Sequence, residues 1–383
     1  MQRESGKYIT KKVKEGSYKV YVPAPLPPTP AIVLDTLAGL LEQTATALAD
    51  LNNMAKAIPN TSLFIYMYVR KEALLSSQIE GTQSSFSDVI LFENHQKINV
   101  TLEDVEEVSN YIQAIYYGLN RLQENFPLCM RLLKEMHGVL LAGARGAHKL
   151  PGEIRRSQNW IGGTRPGNAL FVPPPVECLS DCLSDLEKFL HDQSLPVLIK
   201  AGIAHVQFET IHPFLDGNGR LGRLLIILLL IDGGLLDEPI LYLSLYLKQN
   251  RNTYYQLLQE VRTHGTWETW LEFFLKGVLI TSKQALETAN SINNLFVMDM
   301  QKIATLGRSR LSCEQAFEFI KRLPQVSAIL LAKELNVSLP TARNSLNQMV
   351  DLGILEEITG KQRDKIYLYK NYLAILEEGT EPL

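Results

Sequence analysis

The sequence predicts a mainly α-helical protein with one small β-hairpin and a C-terminal winged helix-turn-helix domain. Apolar residues recur every three or four positions along most of the chain, which is typical of helices that bury one face. One stretch rich in Gly and Pro interrupts that spacing, and the pattern changes after Arg308. At 383 residues, 46% of them hydrophobic, the chain is long enough for two or three domains.

The first 30 residues differ from the rest in composition. Residues 23–30, Pro-Ala-Pro-Leu-Pro-Pro-Thr-Pro, cannot form a helix or a central strand, so we expect them to be extended as polyproline. A polar arm precedes them, without the apolar core of a signal peptide. We therefore assign residues 1–30 to an arm and a Pro-rich segment, and we expect a cytoplasmic protein.

Seven segments have the apolar spacing of helices. They are residues 31–51, 62–80, 105–122, 132–141, 179–190, 197–208 and 219–231. We expect an N-terminal helical region over 31–120, a core over 121–285 and a connecting helix or linker over 286–307. The longest apolar run, residues 224–231, is far shorter than the roughly 20 residues that cross a bilayer, so we expect no membrane partner.

The interruption covers residues 152–175. Gly162-Gly163 and Pro166-Gly167 separate two short apolar pieces, residues 159–161 and 169–172, and three prolines follow. Short apolar pieces around such turn residues predict a small β-hairpin.

The last segment, residues 308–383, has shorter elements. Helices over 329–335 and 339–352 flank the turn 336–338, and strands over 354–358 and 365–369 would form a wing. Residues 306–370 contain ten Lys and Arg against seven Asp and Glu, and the second helix has one basic residue, Arg343. Tight DNA binding depends on many phosphate contacts, so DNA binding and a protein-docking or dimerisation role both stay open.

The net charge bears on the classes of partner, and the cysteine content bears on the kinds of metal or redox site that the chain could contain. The net charge is −3, so no overall field attracts nucleic acid or an anionic membrane. The four cysteines are scattered and include no C-x-x-C pair, which disfavours structural zinc and dithiol redox sites.

Most of the candidate catalytic and binding residues lie within residues 212–223, His-Pro-Phe-Leu-Asp-Gly-Asn-Gly-Arg-Leu-Gly-Arg. Gly217 and Gly219 let successive amide groups converge on one anion where a helix begins, which predicts a phosphate cradle. We expect Asn218 to hold phosphate oxygens beside these amides. Arg220 and Arg223 are three residues apart on one helical face, and guanidinium groups clamp phosphate.

His212 and Asp216 are the candidate reacting and metal-binding groups of this stretch. A histidine can take a proton near neutral pH, so His212 is the candidate general base. Asp216 is a hard oxygen ligand suited to Mg²⁺. A metallohydrolase site built on His205, His212 and Asp216 is an alternative that explains neither the glycines nor the arginines.

Residues 212–223 match the Fic-domain signature H-P-F-x-[D/E]-G-N-G-R-x-x-R at every fixed position, and the chain resembles the Fic family from about residue 70 to 260. The resemblance implies a protein adenylyltransferase that transfers AMP from ATP, with Mg²⁺, to a Tyr, Thr or Ser hydroxyl of a target protein or of itself. The phosphate-transferring and phosphocholine-transferring relatives are disfavoured by the intact Gly-Asn-Gly-Arg run.

The resemblance also assigns roles outside the signature. It implies that the hairpin is a flap on which the target pairs as an added strand, with Ile161, Gly162, Phe171 and Val172 as docking residues. It implies an adenine pocket lined by three residues of a second segment, which a tyrosine-rich core helix would explain equally well. Those three residues are Asn250, Tyr254 and Tyr255.

Residues 76–81, Ser-Ser-Gln-Ile-Glu-Gly, resemble the [S/T]-x-x-x-E-[G/N] inhibitory motif of Fic proteins. The resemblance implies that Ser76 and Glu80 belong to an inhibitory helix and that Glu80 pairs with Arg220, which the γ-phosphate of ATP needs. Low activity until this pair opens is then expected. A DNA-binding regulator that uses the Fic body as an ATP sensor, an enzyme working in the AMP-removing direction, and a homodimer stay open.

Overall fold

The computed structural model describes residues 3–13, 16–57, 61–93, 100–143 and 146–382, and these are mainly helical, as predicted. The helices are α1 Ala38–Ala57, α2 Thr61–Ile79, α3 Phe86–Glu93, α4 Leu102–Gln123, α5 Met130–Leu140, α6 Val176–Leu190, α7 Val197–Ile211, α8 Asn218–Asp232, α9 Ser244–Gln249, α10 Arg251–His264, α11 Trp267–Ala304, α12 Arg310–Arg322, α13 Ala328–Glu334, α14 Leu339–Asp351 and α15 Lys370–Glu377. The strands are β1 Gly6–Val13, β2 Gly16–Pro23, β3 Gln325–Ser327, β4 Glu356–Glu357 and β5 Ile366–Leu368.

The seven helices predicted from apolar spacing all occur, as α1, α2, α4, α5, α6, α7 and α8. The largest difference is α11, which is 38 residues long and continuous across residue 285, where we expected the core to end. Its buried residues extend from Trp267 to Ile303, so the helix packs along both the core and the C-terminal segment. The expected boundary at 120 also falls inside a helix, α4.

In the segment before the prolines, for which we expected a polar arm, β1 and β2 pair as an antiparallel hairpin that the sequence analysis did not predict. Val20 and Tyr21 are buried at its end, and because successive side chains of a strand point to opposite faces, both faces of that end of β2 are covered. The backbone N–H of Tyr21 donates to Val172 O at 2.9 Å. Beyond Pro23, residues 24–34 contain neither helix nor strand.

Helices α7 and α8 form the centre of the body. Residues 198–211 of α7 are all buried, and α8 is buried from residue 218 to 230 apart from a partly exposed Gly219. A helix that is apolar on every side must be surrounded by other elements. The signature begins at the turn between these two helices, so it is anchored at both ends in buried helices.

Downstream of α11, helices α12 to α14 pack beside a three-stranded antiparallel sheet of order β3-β5-β4. The predicted helix, turn, helix and two strands are present in this order, and β3 was not predicted. The interpretation of this segment as a winged-helix domain stays a prediction.

The C-terminal part of the described chain contacts the end of α2. The side-chain amide of Gln78, two residues before Glu80, donates to Thr380 O at 2.8 Å, and Lys248 donates to Gln78 Oε1 at 2.7 Å. The end of α2 is therefore hydrogen-bonded to Lys248 and to Thr380, which lies near the end of the described chain. None of the helices in the described parts of the chain has the length and apolar character needed to cross a bilayer.

Candidate active site

The signature loop is shaped by two residues in left-handed conformation. His212 ends α7 with φ of 49°, and Gly217 precedes α8 with φ of 73°. Glycine adopts this conformation without penalty, whereas a histidine there is uncommon and often marks a functional constraint. The turn from α7 into α8 thus presents the His212 ring and the first amides of α8 on the same loop.

The start of α8 is occupied by a carboxylate of the protein itself. A Cβ at Gly219 would lie 2.3 Å from Glu80 Oε1, so only glycine leaves room for that oxygen. The first N–H groups of a helix lack intrahelical partners and attract anions. The carboxylate of Glu80 therefore lies against Gly219, beside the predicted phosphate cradle.

Glu80 pairs with Arg223, and the expected pairing with Arg220 is wrong. Arg223 Nη2 lies 2.6 Å from Glu80 Oε1, and the same guanidinium donates to the Oγ and carbonyl of Ser76. Ser76 and Glu80 are one turn apart at the end of α2 and so contact the same side chain. Although desolvation opposes the change, the charge of Arg223 lowers the pKa of Glu80.

Arg220 has different partners. Its Nη1 lies 2.8 Å from Glu107 Oε2, and its Nη2 lies 3.9 Å from Asp216 Oδ1. The buried Nε of Arg220 has no hydrogen-bond partner among the described residues. Arg220 thus keeps one donor that an incoming phosphate oxygen could use.

His212 is held through its backbone carbonyl. Its carbonyl accepts from Arg155 Nε at 3.0 Å and from Asn159 Nδ2 at 3.2 Å. Burial lowers the pKa of the ring to about 4, and the charges of Arg262 and Arg155 act in the same direction. The ring is therefore neutral at pH 7 and able to accept a proton, as a general base must be.

The Asn218 side chain braces the loop and does not reach toward a phosphate, contrary to the prediction. Its Oδ1 accepts from Phe214 N and its Nδ2 donates to Phe214 O, both at 2.9 Å. With both polar ends used and 2% of the residue exposed, the side chain closes the turn into α8. Only the backbone amide of Asn218 remains suited to the predicted phosphate contact.

Asp216 lies on the exposed side of the loop. Its Oδ1 accepts from Gly217 N at 2.6 Å, and 46% of its side chain is exposed. Within the described ranges, no three His, Cys, Asp or Glu side chains form a cluster that could hold a metal ion. A metal ion here would take the Asp216 carboxylate together with oxygens of a ligand and water, which is how proteins commonly bind Mg²⁺.

Two further histidines support the site without reacting. His137 stacks on Phe214 with ring centroids 3.8 Å apart, contacts Asp216 O through Nε2 at 3.0 Å and accepts from Gly152 N through Nδ1. Burial lowers its pKa to about 4, so it is the neutral form that braces the loop. The sequence gave no signal of this contact.

His205 is hydrogen-bonded through both ring nitrogens. Its Nδ1 lies 2.9 Å from Gly222 O and its Nε2 lies 2.8 Å from the Tyr254 hydroxyl. Neither nitrogen is free to coordinate a metal. The structure thus contradicts the alternative of a metallohydrolase site built on His205, His212 and Asp216.

Of the three residues expected at the adenine pocket, one remains a good candidate. Tyr254 is 1% exposed and bonded to His205, so it belongs to the core, and Asn250 donates to Tyr246 O where α10 begins. Tyr255 is 40% exposed, and its ring lies 5.0 Å from that of Tyr254. A half-exposed tyrosine ring offers a face on which a purine can stack.

The predicted hairpin is reduced to a single bridge between Ile161 and Phe171. Gly162 and Gly163 have positive φ, and prolines 173–175 lack N–H donors, so the pairing cannot extend. Phe171 is buried against the Tyr21 ring, and the Val172 carbonyl is used by Tyr21 N. Two of the expected docking residues are thus partly occupied by the N-terminal hairpin.

Arg155 joins this segment to the signature loop, a role that the sequence did not indicate. It is 1% exposed and donates to the carbonyls of His212, Ser157 and Pro174. Its own N–H donates to Pro213 O at 2.9 Å. The flap segment and the His212 loop therefore share one buried guanidinium.

Comparison with family models matches two regions of the chain. Residues 38–120 match the model described as Fic/DOC family N-terminal, and residues 127–230 match the model described as Fic/DOC family. The first region contains Ser76 and Glu80, and the second contains the whole signature from His212 to Arg223.

Curated relatives match over part of their length. A probable protein adenylyltransferase of Aquifex aeolicus is 30% identical over 151 residues, which cover 39% of this chain and 42% of the relative. Protein adenylyltransferase Fic of Drosophila yakuba is 30% identical over 165 residues, which cover 42% of this chain and 30% of the relative. The chain therefore spans less than half the length of these relatives.

Solved structures share the fold. A Fic family protein from Desulfovibrio desulfuricans G20 superposes with a TM-score of 0.59 at 19% identity, covering 89% of this chain and 97% of that one. Fic-1 from C. elegans superposes with a TM-score of 0.51 at 20% identity, covering 66% and 73%.

Proposed function

We propose that this chain, which belongs to the Fic/DOC family over residues 38–120 and 127–230, transfers AMP from ATP to a hydroxyl side chain of a protein and is restrained by Glu80. One observation supports both parts. A neutral His212 lies on the loop that leads into α8, and a carboxylate of the same chain, that of Glu80, lies beside the first turn of this helix. An anion site beside a base suits phosphoryl-type transfer, and its occupation by Glu80 suits a restrained enzyme.

The reaction needs a base and a phosphate site in one place. The hydroxyl oxygen of the target attacks the α-phosphorus of ATP, its proton passes to His212, and the bond to pyrophosphate breaks. The amides of Gly217, Asn218 and Gly219 would hold the phosphate oxygens on which charge builds up. Tyr255 would stack on the adenine.

Glu80 acts in this account as a substitute anion. Its carboxylate occupies Arg223 and the space beside Gly219, so the outer phosphates of ATP cannot use both at once. ATP would then bind in a pose that does not align the α-phosphorus with the attacking hydroxyl. Opening the pair frees Arg223, and Arg220 contributes its unpaired Nε to the same phosphates.

Asp216 fits Mg²⁺ as one carboxylate ligand among ligand oxygens. The side chain is half-exposed at the loop, and one of its two oxygens is bonded to Gly217 N. The ion would offset charge on the ATP phosphates. His137, whose ring is hydrogen-bonded to the Asp216 carbonyl, would orient the loop for the metal ion.

The target protein would pair with the flap segment beside Ile161 and Gly162, since Phe171 and Val172 are engaged with the N-terminal hairpin. The relatives named protein adenylyltransferases support a protein target, which could be a second copy of this chain. Tyr, Thr and Ser are all chemically suitable acceptors.

The C-terminal segment would serve targeting or assembly. Two polar side chains of α14 that DNA reading would need are used internally, since Asn347 accepts from Tyr367 and Gln348 accepts from Ser309. Arg343 is the one cation of that helix. This favours docking over DNA binding, because few phosphates would be neutralised.

The proposal is tested by incubating wild type, Glu80→Gly and His212→Ala with magnesium and ATP labelled at the α-phosphorus. We expect more protein-bound label with Glu80→Gly than with wild type, and none with His212→Ala. No label with any of them would contradict the proposed transfer. Loss of label from pre-labelled protein, faster with wild type than with Glu80→Gly, would instead indicate the AMP-removing direction.

A further inference from the structure

Two buried polar groups without partners lie next to each other beside the signature loop. Glu209 Oε1 has no hydrogen-bond partner among the described residues, and His212 Nδ1 has none within hydrogen-bond distance there, although the nearby backbone of Glu209 raises the pKa of the His212 ring against the effect of burial. Glu209 Oε2 lies 3.9 Å from His212 Nδ1, and the Glu209 side chain is 8% exposed. Buried polar atoms are nearly always hydrogen-bonded, so an unpaired donor or acceptor at a site of chemistry calls for a role.

We infer that Glu209 is a positioning residue that accepts a hydrogen bond from Nδ1–H of His212 and so leaves Nε2 as the atom that takes the hydroxyl proton. The inference rests on the proposed function, since it specifies how the base of that reaction is held. A buried carboxylate that fixes the tautomer and orientation of a catalytic imidazole is a general device of enzymes.

The geometry allows this bond to form. The present separation is about 1 Å longer than a hydrogen bond, and such contacts often tighten only when substrate is bound. A Cβ at Gly222 would lie 2.5 Å from Glu209 Oε1, so α8 leaves space for the carboxylate only because that position is glycine. Arg262 fixes the same turn of α7 by donating to Glu209 O and Thr210 Oγ1.

The proton balance is simple. The target oxygen bonds to the α-phosphorus as the bond to pyrophosphate breaks, and the hydroxyl proton moves to His212 Nε2. The ring becomes an imidazolium whose Nδ1–H remains bonded to the Glu209 carboxylate. No proton passes to Glu209, whose negative charge stabilises the cation that forms.

Charged groups from several elements face Glu209. Burial raises the pKa of Glu209 to about 7; Arg223 on α8 and Arg262 on α10 oppose this, whereas Glu80 at the end of α2 adds to it. Removal of Glu80 takes away a like charge and leaves Arg223 without its carboxylate partner, so the Glu209 pKa falls. Release of the restraint therefore also favours the ionised form of Glu209.

Kinetics in the Glu80→Gly background provide one test. Glu209→Gln is expected to lower kcat at least tenfold with the KM for ATP within about twofold, because Glu209 does not contact the nucleotide. The acid limb of the kcat profile should move to lower pH or disappear, since the negative charge that raises the His212 pKa is gone. The matched control is Glu72→Gln.

Glu72 is an equally buried carboxyl whose pKa burial also raises to about 7, but it is bonded to Ser244 and Tyr111. Its change should leave the shape of the pH profile as it is. If Glu209→Gln and Glu72→Gln give the same pH profile of kcat, the inference is wrong, whereas the proposed AMP transfer is unaffected. If Glu80→Gly itself transfers no label, the proposed function has failed.

The tautomer of His212 is measurable without activity, by nitrogen NMR of wild-type protein labelled at the histidine ring nitrogens, with His212→Ala used to assign the signal. We expect the proton on Nδ1, and a shift toward the Nε2–H form in Glu209→Ala. An Nε2–H tautomer in wild type would overturn the inference whether or not the variants fold.

Discussion

The carboxylate of Glu80 lies 2.6 Å from the guanidinium of Arg223 and against Gly219, at the first turn of α8. Arg223 is 2% exposed and Glu80 is 36% exposed, so the pair closes the inner side of the anion site while one edge remains open to solvent. In the proposed account, an entering phosphate group must displace Glu80 before it can use this guanidinium. Glu80 and the proposed phosphate site would then compete for the side chain of Arg223.

Glu80→Gly should raise AMP transfer roughly tenfold or more, because a charged pair of a few kcal/mol no longer holds the nucleotide in an unproductive pose. The initial rate of labelling at saturating ATP measures this. Gln83→Gly is the matched control, because Gln83 is exposed three residues later and makes no contact with Arg223. A rate that rises equally in the control would attribute the effect to a loosened turn instead of the lost carboxylate.

Arg155→Met should lower the free energy of unfolding by about 2–4 kcal/mol, because three side-chain hydrogen bonds of a buried guanidinium are lost and the buried Pro174 carbonyl loses this donor. Urea denaturation measures this. The rate of AMP transfer to a target should fall as well, because Arg155 no longer connects the flap segment to the His212 loop. Arg156→Met, at a side chain 80% exposed, is the control and should change stability by less than about 0.5 kcal/mol.

Equal stability of the two methionine variants would show that Arg155 does not hold the two segments together. Normal stability of Arg155→Met with lost transfer would instead assign Arg155 a role in the reaction.

The sequence was sufficient for the helical class and for the signature. Apolar spacing located α1, α2, α4, α5, α6, α7 and α8, because their buried faces dominate the pattern. The glycines and arginines of residues 212–223 are contiguous, so their chemistry is readable without a fold. The sequence did not predict the contacts that join distant segments of the chain.

The partner of Glu80 is one such contact. Arg220 and Arg223 share a helical face, and only the packing of α2 against α8 determines that Arg223 meets Ser76 and Glu80. His137, Arg155 and Glu209 reach the loop from separate elements, and none belongs to a local motif. Asn218 was misassigned because its bond to Phe214 depends on the turn geometry.

Stability should fall in mild acid partly because of His205. Burial lowers its pKa to about 3 from an ordinary value of 6.5, so the unfolded chain takes up the proton first as pH drops. The stability due to neutral His205 is present above about pH 6.5 and is lost below it. Between pH 6.5 and 5 the loss amounts to about 2 kcal/mol.

Urea denaturation of wild type and His205→Gln at pH 7 and pH 5 isolates this contribution. The variant should show a pH-dependent loss about 2 kcal/mol smaller than that of wild type, while His191→Gln, at an exposed position after α6, should behave as wild type. The same pH dependence in wild type and His205→Gln would contradict a buried neutral imidazole at this position.

The most direct measurement of the central claim compares ATP labelled at the α-phosphorus with ATP labelled at the γ-phosphorus, using the Glu80→Gly protein and His212→Ala as the blank. AMP transfer predicts label on protein from the α-labelled ATP alone and pyrophosphate release in equal amount. Label from the γ-labelled ATP, or α-label that persists in His212→Ala, would contradict a His212-dependent adenylyltransferase.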